Sequence, residues 1–186
     1  MDIVVAKYNE DLAWLDNINA EKIVYSKGSG GNLKNIGREA HTYAYHIAKN
    51  YESISEWTTF VQGNPLDHCP DLIETINSFY TSKEFRSGKK FLYLGNWIAT
   101  CDIDGKPHHP NLDIGKFQEL LFGGIVKNRM TFIAGAQFIV HKDLIQNKSK
   151  AFWDKLLDIF EQELHSQDAW CAERLWPYIF ETHSDV

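Results

Sequence analysis

The stretch WTTFVQGNPLDHCP, residues 57–70, decides the reading of the fold. Its first half is dominated by Trp, Thr, Phe and Val, which suit a pleated, half-buried surface, and predicts a strand. Its second half turns sharply, because Gly63 suits a tight turn and Pro65 fixes the course of the chain. Gln62, Asn64, Asp67, His68 and Cys69 are thereby held at the strand's end. Such an end is either a turn with ordinary capping or the rim of an active site.

Upstream the pattern recurs. MDIVVAKY, residues 1–8, is an apolar run rich in Val and Ile that suits an interior strand. NEDLAWLDNI, residues 9–18, predicts a short helix with Leu12, Trp14 and Leu15 inward, and AEKIVYSKG, residues 20–28, a second strand. The glycine-rich GSGGN that follows has neither the GxxxxGK[ST] nor the GxGxxG spacing, and reads as a flexible turn rather than a phosphate cradle. GREAHTYAYHIAKNYESI, residues 37–54, is the clearest helix. Tyr43, His46 and Ile47 recur at helical spacing, and Ala40, Ala44 and Ala48 favour the helical state. Arg38 and Glu39 fall in its first turn, where free N–H groups and the helix dipole offer an anion site.

Strand, helix, strand, helix, strand is the order of an α/β fold, and the expectation is a mostly parallel central sheet flanked by helices. Such sheets bind ligands in the crevice beyond the carboxyl ends of their strands, where KYNED, YSKGSGG and VQGNPLDH would gather. Downstream, PDLIETINSFYTS predicts a helix, FLYLGNWIATCDIDGKPHHPNLD a strand-like or irregular segment, and IGKFQELLFG a short helix. MTFIAGAQFIVHKDLI reads as one strand broken at Gly135, where another group approaches closely. SKAFWDKLLDIFEQEL predicts an amphipathic helix, and DAWCAERLWPYIF a last helix interrupted near Pro177.

A chain of 186 residues, 44% hydrophobic and 13% aromatic, can bury a substantial core, and residues 1–186 read as a single domain. A net charge of -6 argues against a nucleic-acid partner, which would need a basic face. Lys22, Lys27, Lys34 and Arg38 cluster in sequence, a pattern more usual for a solvated face. The first residues lack the features of a secretory signal, no apolar run is long enough to span a membrane, and the 3 cysteines are widely spaced. The expectation is a cytoplasmic protein without a membrane span.

Several constellations could carry chemistry. Tyr8, Asn9 and Glu10 follow the first strand and could meet a nucleotide, the ring stacking and the amide and carboxylate reading base or ribose, although Asn9 also reads as a helix cap. Gln62, Gly63 and Asn64, with Asp67 and His68, offer ligands for a divalent ion, while Asp67 also suits a helix cap. Gln137 lies in an apolar run, where a buried amide must be hydrogen-bonded. Glu173 sits among Trp170, Leu175 and Trp176, surroundings that suit a general base, or it pairs with Arg174 or Arg38. Asp102, Asp104, His108 and His109 look metal-like, yet DGKPHHP is also ordinary turn material.

VVAKYNEDLAWL, NIGREAHTYAYHI, FVQGNPLDHCP, FIAGAQFIVHKDLI and AERLWPYIF resemble the signature blocks of a poorly characterised family of fungal, algal, bacterial and viral proteins. That family is similar in outline to nucleotide-sugar glycosyltransferases of the GT-A fold. The resemblance implies a compact GT-A-like domain that binds a nucleoside-diphosphate sugar with Mn²⁺ or Mg²⁺ and passes the sugar to a glycan or other hydroxyl acceptor. Tyr8, Asn9 and Glu10 would lie beside the nucleotide, and Asp67 and His68 at the metal position. No DxD motif stands there, and the DID at Asp102 to Asp104 is the alternative. Glu173 is the implied base with Asp104 second, Arg38 the group that steadies the leaving diphosphate, and Trp97 and Trp176 the rings for a sugar face. The competing readings are a non-catalytic carbohydrate- or nucleotide-binding domain, and a metal-dependent hydrolase using Asp102, His108 and His109.

Overall fold

The computed structural model describes residues 1–162 and 167–180. The elements run β1 (Asp2–Lys7), a 3-10 turn (Ala13–Asn17), β2 (Glu21–Ser26), α1 (Arg38–Asn50), β3 (Trp57–Gln62), a second 3-10 turn (Pro65–Asp67), α2 (Leu72–Thr81) and α3 (Lys83–Arg86). They continue with β4 (Phe91–Tyr93), β5 (Ile98–Asp102), α4 (Ile114–Phe122), β6 (Arg129–Ile133), β7 (Phe138–His141), α5 (Lys142–Gln146), α6 (Lys150–Glu161) and α7 (Asp168–Phe180).

Period-two alternation gives the main sheet two apolar faces. Val4, Phe60, Phe138 and Val140 join one core cluster with Tyr43 and Ile47 of α1, Leu156 and Phe160 of α6, and Leu175 and Trp176 of α7. Ile3, Val5, Val61 and Ile139 point the other way, onto Leu72, Ile76 and Phe79 of α2 and onto Leu15 and Ile18. The sheet is thus covered on both sides. Phe138 sits at the centre of the larger cluster, its ring 5.3–5.8 Å from those of Tyr43, Phe60, Phe91, Trp176 and Phe180. Truncating it to Ala would cost about 3–5 kcal/mol.

The strand order in this sheet is β2-β1-β3-β7-β4. β1 pairs in parallel with β2 and β3, but β7 pairs antiparallel with both β3 and β4. A second sheet, β5 with β6, is antiparallel. The expected mostly parallel, GT-A-like sheet is therefore corrected: the main sheet is mixed and the smaller one wholly antiparallel.

The reason lies in two segments that the sequence presents as continuous. FLYLGNWIATCD divides into β4 in the main sheet and β5 in the small one, and MTFIAGAQFIVH into β6 and β7 in the reverse order. The β5–β6 ribbon is thus an extension of the β4–β7 pair, with Leu94 N–H bonded to Gln137 O (2.9 Å) and Ala134 N–H to Trp97 O (3.0 Å) between the two ladders. The break falls at Gly135, with φ +103°, followed by Ala136 at +51°, a pair of left-handed residues that a continuous strand cannot contain.

Local expectations otherwise hold for β1, β2, β3, α1 and α4. The 9–18 segment is a 3-10 turn, and the 70–82 helix stops at Thr81 before the short α3. The α6 helix ends at Glu161, and residues 163 and 164 of its expected span lie outside the described residues. Pro177 does not interrupt α7, which runs on to Phe180. Only the hydrogen bond to the carbonyl four residues earlier is forfeited so near the helix end, and Trp176, Ile179 and Phe180 are anchored in the core.

Candidate functional site

A cavity of about 450 Å³ opens where β1, β2 and β3 end. Ala6, Lys7, Tyr8 and Glu10 line it from β1 and its following loop, Lys27 from the end of β2, Gln62 and Gly63 from β3, and Asn35, Arg38 and Glu39 from the approach to α1. Glu10 folds back so that its Oε2 accepts from the N–H of Tyr8 at 2.6 Å, and it lies directly over Gly63. A Cβ at position 63 would stand 2.4 Å from that oxygen, so a larger residue there would have to push the flexible Glu10 carboxylate aside. Trp14 Nε1 donates to Gly63 O at 3.0 Å and fixes the strand end from below.

Lys27 is the least expected member. It is buried, and its ammonium donates to the carbonyls of Ile36 and Arg38. Burial pulls its pKa down to about 8, with the Glu39 carboxylate opposing the fall. Glu39 is itself nearly buried, its side chain 10% exposed, and its Oε2 lies 3.5 Å from Arg38 Nε. Burial raises its pKa and the neighbouring Glu173 charge adds to the rise, while its own backbone N–H, Arg38 and Lys27 oppose it.

A second cavity, about 270 Å³, adjoins the first and shares Arg38, Glu39 and Gln62 with it. Its other walls are His68, the β5–β6 ribbon (Trp97, Ala99, Phe132, Ala134, Gly135), His108 and His109, and Trp170, Glu173 and Arg174 of α7. Glu173 Oε1 accepts from Gly135 N–H at 2.8 Å, and its Oε2 accepts from Arg174 Nη1. Arg38 lies over the Trp170 ring at 5.3 Å, and Arg174 over Phe132 at 4.8 Å. The consecutive His108 and His109 meet different tryptophans, Trp97 at 6.0 Å and Trp170 at 5.1 Å between ring centroids.

Of the residues expected to form a site, Tyr8, Glu10, Gln62, Gly63 and Arg38 line the first cavity, and His68 and Glu173 the second. Asn9 is exposed beside Gly28, outside either lining. Gln137 is buried as a brace: its Nε2 donates to Pro65 O (3.2 Å) and Leu94 O (3.4 Å), and its Oε1 accepts from Gln62 N–H. Trp176 is fully buried between Tyr43, Phe138 and Phe180, so its expected place beside a ligand is corrected to the core. Missing from the sequence reading were Lys27, taken for part of a solvated face, and Glu39 as an acid. The available signal was their position, Lys27 one residue past a strand and Glu39 in the first turn of the helix that follows.

The residues expected to hold Mn²⁺ or Mg²⁺ do not converge on one position. Asp67 is exposed and accepts from Asn64 Nδ2 at 2.6 Å within its own turn. Asp102 Oδ1 is engaged by the N–H groups of Asp104 and Lys106, and Asp104, 63% exposed, lies 3.7 Å from Lys106. Among the described residues no three His, Cys, Asp or Glu side chains converge on a metal position. His108 and His109, each turned to its own tryptophan, do not complete the hydrolase arrangement with Asp102.

The chain belongs to the family described as "Protein of unknown function (DUF3431)", whose model matches residues 3–186. No curated protein and no solved structure matches it. Among the described residues no helix is long and apolar enough to cross a membrane.

Proposed function

We propose that the chain transfers a glycosyl group from a nucleoside-diphosphate sugar to an acceptor hydroxyl. The observation that carries this reading is the meeting of two unlike cavities at Arg38, Glu39 and Gln62. The larger lies beyond the carboxyl ends of β1, β2 and β3 and carries Lys7, Lys27 and Arg38 against Glu10 and Glu39, an excess of cations suited to a diphosphate. The smaller carries tryptophans and a carboxylate, suited to an acceptor.

In this reading the anomeric carbon lies at the junction. Its bond to the diphosphate oxygen breaks, the electron pair leaves with the diphosphate, and Arg38 meets the growing charge. The acceptor oxygen bonds to that carbon and gives its proton to a carboxylate. Burial raises the proton affinity of Glu39, which favours it as the base. Glu173, anchored by Gly135 N–H and Arg174, orients the acceptor hydroxyl. The three cysteines are free and buried, which supports a reducing, cytoplasmic setting.

A thermal-shift and calorimetric screen against UDP-, GDP-, CMP- and dTDP-sugars, each with and without Mn²⁺ or Mg²⁺, tests the proposal. A shift for one donor that weakens in Arg38→Ala supports it. Silence across the panel from folded protein overturns it in favour of a non-catalytic binding domain.

A further inference from the structure

Trp97 is 60% exposed at the mouth of the second cavity, where Trp57, Trp153 and Trp176 of the same chain are buried. Leaving so large an apolar ring in water costs free energy that a ligand would recover. The charged groups of this cavity are largely matched in pairs, Arg38 with Glu39 and Arg174 with Glu173. A ligand there gains little from carrying net charge. What remains available are aromatic rings and neutral hydrogen-bonding groups. Arg174 also lines this cavity, its guanidinium lying over the Phe132 ring and beside the Cys101 thiol.

We infer that the second cavity is a saccharide subsite, in which a neutral pyranose ring lays its C–H face on Trp97 while Glu173, Arg174 and His109 read its hydroxyls. The ring needs both kinds of contact, since its faces are apolar and its rim carries hydroxyls that both donate and accept. A volume of about 270 Å³ suits one sugar ring better than a nucleotide, for which the neighbouring cavity has the room and the cations. Placing the acceptor's terminal sugar here rests on the transfer reading above. Saccharide binding itself does not.

Saturation-transfer NMR with the methyl glycosides of glucose, mannose and galactose, without donor, tests the inference. At least one glycoside should show transfer concentrated on the C–H protons of one ring face. Trp97→Ala should weaken its binding tenfold or more, and Trp97→Phe should retain most of it. Melting curves of both variants should overlay the wild type, since the side chain is exposed. No glycoside signal, or a signal unchanged in Trp97→Ala, overturns the subsite. A donor shift with no glycoside signal removes the subsite and leaves transfer standing. A glycoside signal with no donor shift keeps the subsite and removes transfer.

Discussion

Lys27 donates through its Nζ to the main-chain carbonyl of Arg38, and so ties the end of β2 to the first residue of α1. Arg38 occupies the left-handed region at φ +47°, a conformation that costs a non-glycine residue about 1–2 kcal/mol. The lysine's bonds to Ile36 O and Arg38 O help offset that cost. Arg38, one of three residues common to both cavities, is therefore held in place from beneath.

Lys27 should make donor binding sensitive to alkali. Its ammonium is charged below about pH 8 and neutral above, so affinity for a diphosphate should fall as pH rises through that value. Lys27→Met should lower affinity about tenfold at pH 7 and flatten the profile, and Lys27→Arg should remove the alkaline fall. Calorimetry from pH 6.5 to 9.5 with the best donor of the screen measures it.

Glu39→Gln should lower the transfer rate about 10²- to 10⁴-fold while changing donor affinity little. The base must be ionised, so the rate should climb with pH through the raised pKa of Glu39, and this acid limb should vanish in the variant. Glu173→Gln should mainly raise KM for the acceptor. A Glu39→Gln enzyme with an intact rate and acid limb would show that the proton goes elsewhere.

Stability should decline on mild acidification because of α1. Burial pushes both His41 and His46 down to about 4; the charges of Lys27 and Lys34 add to the effect on His41, while Asp2 opposes it on His46. Between that value and the unfolded value near 6.5 the unfolded chain binds more protons. Stability is thus fully present above about pH 6.5 and is lost as pH falls toward 4, by up to about 3 kcal/mol for each histidine. Glu161, 3.7 Å from His41 but 41% exposed, is screened by water and should rescue little. Urea unfolding at pH 7 and pH 4.5, repeated on His46→Leu, should show a smaller pH effect in the variant.

Two glycine substitutions should fail differently. Gly135→Ala keeps a left-handed φ and puts a Cβ 2.8 Å from the His68 ring, so it should cost about 1–3 kcal/mol and disturb the N–H that holds Glu173. Gly63→Ala meets only the flexible end of Glu10, and should displace that carboxylate with a small loss of stability and a change in donor affinity. Thermal melts paired with donor titrations separate the two.

Trp176→Ala should destabilise by about 3–5 kcal/mol, the cost of a large cavity in an aromatic core. A variant that folded normally but bound ligand poorly would return Trp176 to the site.

The first half of this architecture was legible because β1, β2, α1 and β3 follow from local periodicity, and because strand ends in parallel pairs gather on one edge. Tyr8, Glu10, Gln62 and Gly63 were found by that argument, and Arg38 by its place in the first turn of α1. The direction of β7 was not legible. Nothing within MTFIAGAQFIVH says that its two halves belong to different sheets; partner choice is decided by residues far upstream, in β3, β4 and β5. Burial misled in both directions for the same reason. Lys27 resembles a surface lysine and Trp176 a surface aromatic until the helices that cover them are in place.

The chain leaves the main sheet after β4, builds the small sheet, and returns as β7. The wall bearing Trp97, His108 and His109 is thus made from one excursion, whereas the cavity at the strand ends is made from the first 63 residues. Insertions or exchanges between β4 and β7 can therefore remodel one pocket while sparing the other. Under the proposed transfer, exchanges within this excursion would alter the choice of acceptor and leave recognition of the donor intact.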